Sequence, residues 1–137
     1  GGHRVKPMTI VRITDKEGNV LKTFPLEARQ VISADKAYEM LYLMRGATED
    51  PNGTAARLRS SQYNLLANGN QIAAKTGTTS NYSDGWFMGM TQGLVSGLWV
   101  GGDHRAIHFR TIEYGQGARL AMPAWGAYMK RVYADAT

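Results

Sequence analysis

The chain has 137 residues, a length at which a single domain is the default. Its 43% hydrophobic and 20% charged content is that of an ordinary globular protein, and no apolar run approaches the roughly 18 residues that a membrane span needs. There is no cysteine, which excludes disulfides and thiolate metal ligands. The net charge of +5 is spread over Arg4, Lys6, Arg12, Lys22, Arg45, Arg57, Arg59, Arg119, Lys130 and Arg131 without a basic run, which argues against a nucleic-acid surface. No signal-peptide pattern opens the chain, and a first residue other than methionine suggests an excised piece.

Residues 8–24 read as a β-hairpin. Met8, Ile10, Ile13 and Val20 supply apolar strand positions, and Asp15-Lys16-Glu17-Gly18-Asn19 supplies the turn. Residues 25–30 read as a connector. Ser33 has the chemistry of a helix N-cap, with Asp35 favourable in the first turn. Ala37, Met40, Leu41 and Met44 recur at helical spacing, and Gly46 reads as a C-cap, which predicts a helix over 33–45 with its methionines filling core. Residues 49–53 form a loop, Thr54 starts a short helix to about Ser60, and Asn68-Gly69 is a turn into a strand over 71–79.

Two further strands, 86–91 and 94–100, are joined by Gln92-Gly93 as an antiparallel hairpin. Gly89 and Gly97 mark close approach of a backbone or a helix, and Trp86 and Trp99 are expected in the core. Residues 101–117 are glycine-rich and irregular. A helix over 120–134 closes the chain, with Pro123 in its first turn and Trp125, Tyr128, Met129 and Val132 on the face that packs against the sheet. Asp103, His104 and His108 lie among glycines that argue for a loop, so neither a metal site nor a cofactor is expected. Asp84 is expected to anchor the turn after the 71–79 strand, with Tyr82 beside it and Glu113-Tyr114-Gly115-Gln116 in a solvated loop.

The chemistry concentrates at Lys75-Thr76-Gly77-Thr78-Thr79. Alternation along a strand points Thr76 and Thr78 one way and Lys75 and Gly77 the other. Two hydroxyls on one face can grip a carboxylate, and a nearby ammonium favours anions. Gly77 leaves room for close approach, and a backbone N–H at the strand end can donate to an oxyanion.

Together with its surroundings this segment, Lys75-Thr76-Gly77-Thr78-Thr79-Ser80-Asn81-Tyr82-Ser83-Asp84-Gly85-Trp86-Phe87-Met88-Gly89, resembles the third active-site motif of the bifunctional (class A) penicillin-binding proteins. Leu94-Val95-Ser96-Gly97-Leu98-Trp99-Val100-Gly101 resembles their next strand. Residues 30–46 resemble the helix before the motif, Gly117-Ala118-Arg119-Leu120-Ala121-Met122-Pro123-Ala124-Trp125 the final helix, and residues 7–24 the family's hairpin. The resemblance implies a serine DD-transpeptidase that cross-links peptidoglycan stem peptides and is acylated by β-lactams. It implies that Lys75 holds the hydrogen-bond network of the site. Thr76 and Thr78 bind the carboxylate of the stem peptide or antibiotic, the Thr78 N–H completes the oxyanion hole, and Gly77 and Thr79 flank the bound substrate. It also implies an extracytoplasmic protein, anchored to the membrane by a segment outside these residues.

The chain departs from the family in lacking an S-x-N triplet. Its one S-x-x-K match, Ser33-Ala34-Asp35-Lys36, stands much closer to the Lys-Thr-Gly strand than the family's nucleophile does, and its flanks match a later helix. Ser33 is therefore read as a cap. The chain is read as the C-terminal part of a transpeptidase domain, inactive alone. The expected fold is α+β, a partial penicillin-binding/β-lactamase-like transpeptidase fold: a three-stranded antiparallel sheet, a C-terminal helix packed on it and an N-terminal hairpin. A bare edge at 94–100 is expected to recruit the missing half of the domain or a second copy. Two other readings stay open, a β-lactamase or carboxypeptidase of the same superfamily and a non-catalytic peptidoglycan-binding module.

Overall fold

Strand pairing starts at the chain's third residue. In the computed structural model, which describes residues 1–135, the chain divides into two units, the first ending at Met40. The first unit holds four short strands: β1 (His3–Val5), β2 (Arg12–Thr14), β3 (Val20–Thr23) and β4 (Ala28–Gln30). β2 and β3 form the expected hairpin, but it is narrower than 8–24. Its turn is built by Asp15, whose Oδ1 accepts from the N–H groups of Glu17 (3.0 Å) and Asn19 (2.8 Å). The segment read as a connector contains β4, which pairs antiparallel with β1.

The first helix, α1 (Ala34–Glu49), runs past its predicted end. Ser33 Oγ accepts from the N–H of Lys36 at 3.3 Å, the bond of an N-cap. Gly46 lies inside the helix instead of ending it. The end comes at Asp50, where the Arg59 guanidinium donates to the carbonyls of Glu49 (2.8 Å) and Asp50 (3.3 Å). Terminal carbonyls without helical partners are thus capped from a distant turn. Nor is the predicted stripe a core face: Met40 and Leu41 are exposed, and the helix buries Thr48. Thr48 Oγ1 lies 2.6 Å from the carbonyl oxygen of Ile72, to which it donates.

In the second unit a 3-10 turn at Ala56–Arg59 and another at Ala67–Gly69 lead to the sheet. Three strands follow: β5 (Ala73–Thr78), β6 (Asp84–Met90) and β7 (Val95–Gly101), paired antiparallel in the order β5-β6-β7. A short helix, α2 (Ile112–Gly115), interrupts the segment read as irregular, and α3 (Gly117–Ala134) closes the described chain. Because α3 starts earlier than predicted, Pro123 sits inside it and not in its first turn. A proline there deprives the Arg119 carbonyl of its helical donor, and Arg119 is exposed to solvent.

The register sorts the sheet into two faces. Ala74, Thr76 and Thr78 lie beside Gly89, Phe87 and Gly85, which lie beside Ser96, Leu98 and Val100. This face meets α3. Phe87 and Trp125 are fully buried with ring centroids 5.0 Å apart, and Trp125 Nε1 donates to Ser96 Oγ at 2.9 Å. Gly89 makes the contact possible, since a Cβ there would collide with the Trp125 indole. Ala121, Met122 and Met129 complete the helix face, and Leu58, Tyr63, Leu65 and Ile72 close the core. Tyr128 does not belong to that face. It lies at the margin of that face, about 100° round the helix from Met129, and is 45% exposed.

The expectation that Trp86 and Trp99 are core fails for the same reason. They are cross-strand neighbours on the opposite face, with Lys75, Gly77, Met88 and Val95, and are 48% and 45% exposed. Both faces of this hairpin are apolar in sequence, and the helix covers one.

Candidate functional site

β5 carries the Lys-Thr-Gly sequence at an edge of the sheet, with β6 as its one neighbour among the described residues. The ladder fixes which backbone groups remain open. Thr79 N–H donates across the pair to the Asp84 carbonyl at 3.2 Å. Antiparallel pairs alternate between bonded and non-bonded positions. The N–H and C=O of Gly77 and Lys75 therefore face β6, while those of Thr78 and Thr76 face the open edge. The Lys75 side chain agrees with this, since its Nζ turns to the Thr76 carbonyl at 3.0 Å.

The side chains divide as alternation requires. Lys75 is exposed on the face of Trp86 and Met88, and Gly77 pairs with Trp86. Thr76, half-buried, and Thr78, exposed, lie on the α3 face. A Cβ at Gly77 would stand 3.2 Å from Trp86 Cβ, tight but open to a small adjustment. Because β5 is an edge strand, groups from both its faces and its backbone border the same open side. An ammonium, hydroxyls and free N–H groups on one edge form a donor set suited to a carboxylate or a developing oxyanion.

Thr79 is tied into the turn that follows. Its Oγ1 accepts from the Asp84 N–H (3.1 Å) and lies 3.2 Å from both the Asp84 carbonyl and the Ser83 hydroxyl. Tyr82 takes a left-handed backbone (φ 60°), its N–H donates to the Thr79 carbonyl and its own carbonyl accepts from Phe109 N–H. The turn is further held by Asn81 Nδ2, which donates to the Arg105 carbonyl at 3.0 Å. Asp84 anchors the turn through its backbone groups, whereas Glu113 and Tyr114, read as loop, lie in α2.

Thr78 has a partner that the sequence does not announce. The backbone N–H of Gly117, the first residue of α3, donates to Thr78 Oγ1 at 3.0 Å. Gly115 at the end of α2 and Gly117 at the start of α3 are the available sequence signal, but nothing local links them to a strand so far upstream.

Ser33 and Lys36 are occupied by helix chemistry, the Ser33 hydroxyl capping α1 and Lys36 Nζ paired with Glu39 at 2.8 Å. His104 and His108 are not on a helix. His104 Nδ1 accepts from the Ala106 N–H, and the His108 ring contacts the Phe109 carbonyl.

Comparison with known proteins agrees with the fold. The family model of the penicillin-binding protein transpeptidase domain matches residues 1–94. Penicillin-binding protein 1A of Aquifex aeolicus is 32% identical over 131 residues, covering 96% of this chain and 16% of that protein. Penicillin-binding protein 1A of Escherichia coli is 43% identical over 72 residues, 44% of this chain and 8% of that protein. The crystal structure of penicillin-binding protein 1A from Haemophilus influenzae superposes with a TM-score of 0.78 at 25% identity, over 100% of this chain and 25% of that one. The chain thus spans a small part of the relatives it matches. The family model covers the chain through β6, and the Aquifex relative and the superposed structure extend the likeness over nearly all of the rest. On this evidence of sequence and fold, the chain belongs to the penicillin-binding protein transpeptidase domain family.

Proposed function

We propose that this chain is the C-terminal part of a serine DD-transpeptidase domain that cross-links peptidoglycan stem peptides and is acylated by β-lactams, with the nucleophile outside residues 1–137. The open edge of β5 carries the reading. Thr78 presents an N–H and a hydroxyl there, two residues along the strand from Thr76 and three from Lys75. The Thr78 N–H stabilises the oxyanion of the acylation intermediate. The hydroxyls of Thr76 and Thr78 bind the carboxylate of the stem peptide or the antibiotic. Lys75 keeps a positive charge beside the reacting serine and holds the hydrogen-bond network. Gly77 leaves the strand slim enough for substrate to lie against, and Thr79 fixes the turn that ends it. The parent protein works on the extracytoplasmic side of the membrane.

Two features favour a nucleophile outside this chain. No S-x-N triplet occurs in it, and Ser33 caps α1. Incubation of residues 1–137 with a fluorescent penicillin tests this. The reading requires no stable label on this chain and a label on the longer chain that contains it. A label on residues 1–137 that Ser33→Ala abolishes would make Ser33 the nucleophile and overturn it.

A second proposal concerns the other side of the sheet. β7 has no outer neighbour among the described residues, and its apolar face leaves Val95 and Trp99 exposed beside Trp86. Unpaired strand edges recruit other strands. β7 binds the remainder of the domain, or a second copy when that is missing. Sedimentation of residues 1–137 should reveal self-association, and a monomer at high concentration would contradict it.

A further inference from the structure

We propose that Gly117 is a positioning residue for Thr78, and that the start of α3 sets the direction in which the Thr78 hydroxyl donates. This rests on the reading of Thr78 as a carboxylate ligand.

A threonine hydroxyl has one proton to give and two lone pairs to receive. Left to itself it rotates and serves either as donor or as acceptor. Here the Gly117 N–H occupies a lone pair of Thr78 Oγ1 at 3.0 Å. That N–H belongs to the first residue of an 18-residue helix, where backbone donors lack helical acceptors and the helix dipole is positive. A hydroxyl that accepts there keeps its proton for another partner and becomes a stronger donor. Thr78 is exposed at the edge strand, so the proton is left for an anion at that open edge.

The approach that makes this bond depends on missing side chains on two elements. A Cβ on Gly117 would strike the Gly77 carbonyl oxygen and stand 2.5 Å from the Trp86 carbonyl oxygen. Both are backbone atoms of the sheet and cannot rotate away. Gly85 is the cross-strand partner of Thr78, and a Cβ there would come within 2.9 Å of Gly117 Cα. Any side chain at Gly117 therefore lifts the helix start off the sheet and lengthens the bond to Thr78. The constraint is one of space, since Gly117 has no left-handed backbone.

The test uses the longer penicillin-binding chain that contains this segment and compares two acylating agents, a penicillin with its free carboxylate and the methyl ester of the same penicillin. The readout is the ratio of their second-order acylation rates. Thr78→Val should lower that ratio roughly tenfold, and Thr78→Ser, which keeps the hydroxyl, should preserve it. Gly117→Ala should lower the ratio to the Thr78→Val value, with no further fall in the double variant. Glycolic acid in place of Gly117 removes the N–H without adding volume and should do the same, which covers the case in which Gly117→Ala does not fold. If Thr78→Val lowers the ratio and both changes at Gly117 leave it intact, the positioning role is refuted while the carboxylate reading stands. A loss that is equal for acid and ester also refutes it, because a purely structural defect does not distinguish the two. If Thr78→Val itself leaves the ratio unchanged, the carboxylate reading fails and the positioning role with it.

Discussion

Replacement of the three tryptophans one at a time tests which face of the sheet forms the core. Trp125 is 1% exposed, stacks at a tilt on Phe87 with centroids 5.0 Å apart, and donates its indole N–H to Ser96. Trp125→Ala should cost about 3–5 kcal/mol, the range for truncating a fully buried large aromatic. Trp86 and Trp99 face each other across β6 and β7 and are about half exposed. Each loses one cross-strand pair on truncation, worth roughly 0.2–1 kcal/mol. Gly89→Ala adds a methyl group that meets the Trp125 ring, and overpacking of this kind costs about 1–3 kcal/mol. In a Trp125→Ala background the methyl group has the space that the indole leaves, so the two changes together should cost less than their sum. Equilibrium urea unfolding followed by far-UV circular dichroism measures all of these. If Trp86→Ala or Trp99→Ala cost as much as Trp125→Ala, or if Gly89→Ala and Trp125→Ala were additive, the assignment of faces would be wrong.

Thr48→Val keeps the shape of the side chain but removes the donor to the buried Ile72 carbonyl, and should destabilise the chain by about 1–3 kcal/mol in the same assay. A neutral result would mean that the carbonyl finds another partner. Ser33→Ala removes the N-cap of α1 and should cost about 1 kcal/mol, with no effect on penicillin labelling of the longer chain. The side chain of Asn19, followed by the N–H groups of the same turn, holds the Asp15 carboxyl below its ordinary 3.8. A depressed acid means that the turn gains stability from the carboxylate above pH 3.8 and loses it as the pH falls through the lower folded value. An NMR titration of Asp15 should therefore show a midpoint under 3.8 that rises in Asn19→Ala; an unshifted midpoint in both would remove that bond from the account.

Local chemistry is legible in the sequence where the partners are close along the chain. The Asp15–Asn19 turn, the Ser33 cap, the β6–β7 hairpin and the alternation of Lys75 against Thr76 and Thr78 all follow from residue type and spacing. Errors arise where a distant group decides. Gly46 has the look of a helix end, yet nothing lies within 4 Å of where its Cβ would be, and α1 continues until Arg59 supplies donors to its last carbonyls. Trp86 and Trp99 look like core because aromatic strand residues usually pack. The sequence gives both faces apolar side chains, and only the docking of Trp125 over Gly89 decides between them. β1 and β4 are each three residues long and separated by the hairpin, so neither carries a pattern that reveals the other. The bond from Gly117 to Thr78 is invisible for the same reason: it joins a helix start to a strand 39 positions away.

The open edge of β5 is the proposed place where an acyl donor is bound and its oxyanion stabilised. The most direct measurement is the second-order rate of penicillin acylation of the longer chain carrying Lys75→Ala, in a variant whose unfolding midpoint is unchanged. Loss of one such polar group costs roughly 3–4 kcal/mol of barrier, so the rate should fall by at least a hundredfold. A rate equal to that of the unaltered chain would remove Lys75, and with it this edge, from the mechanism.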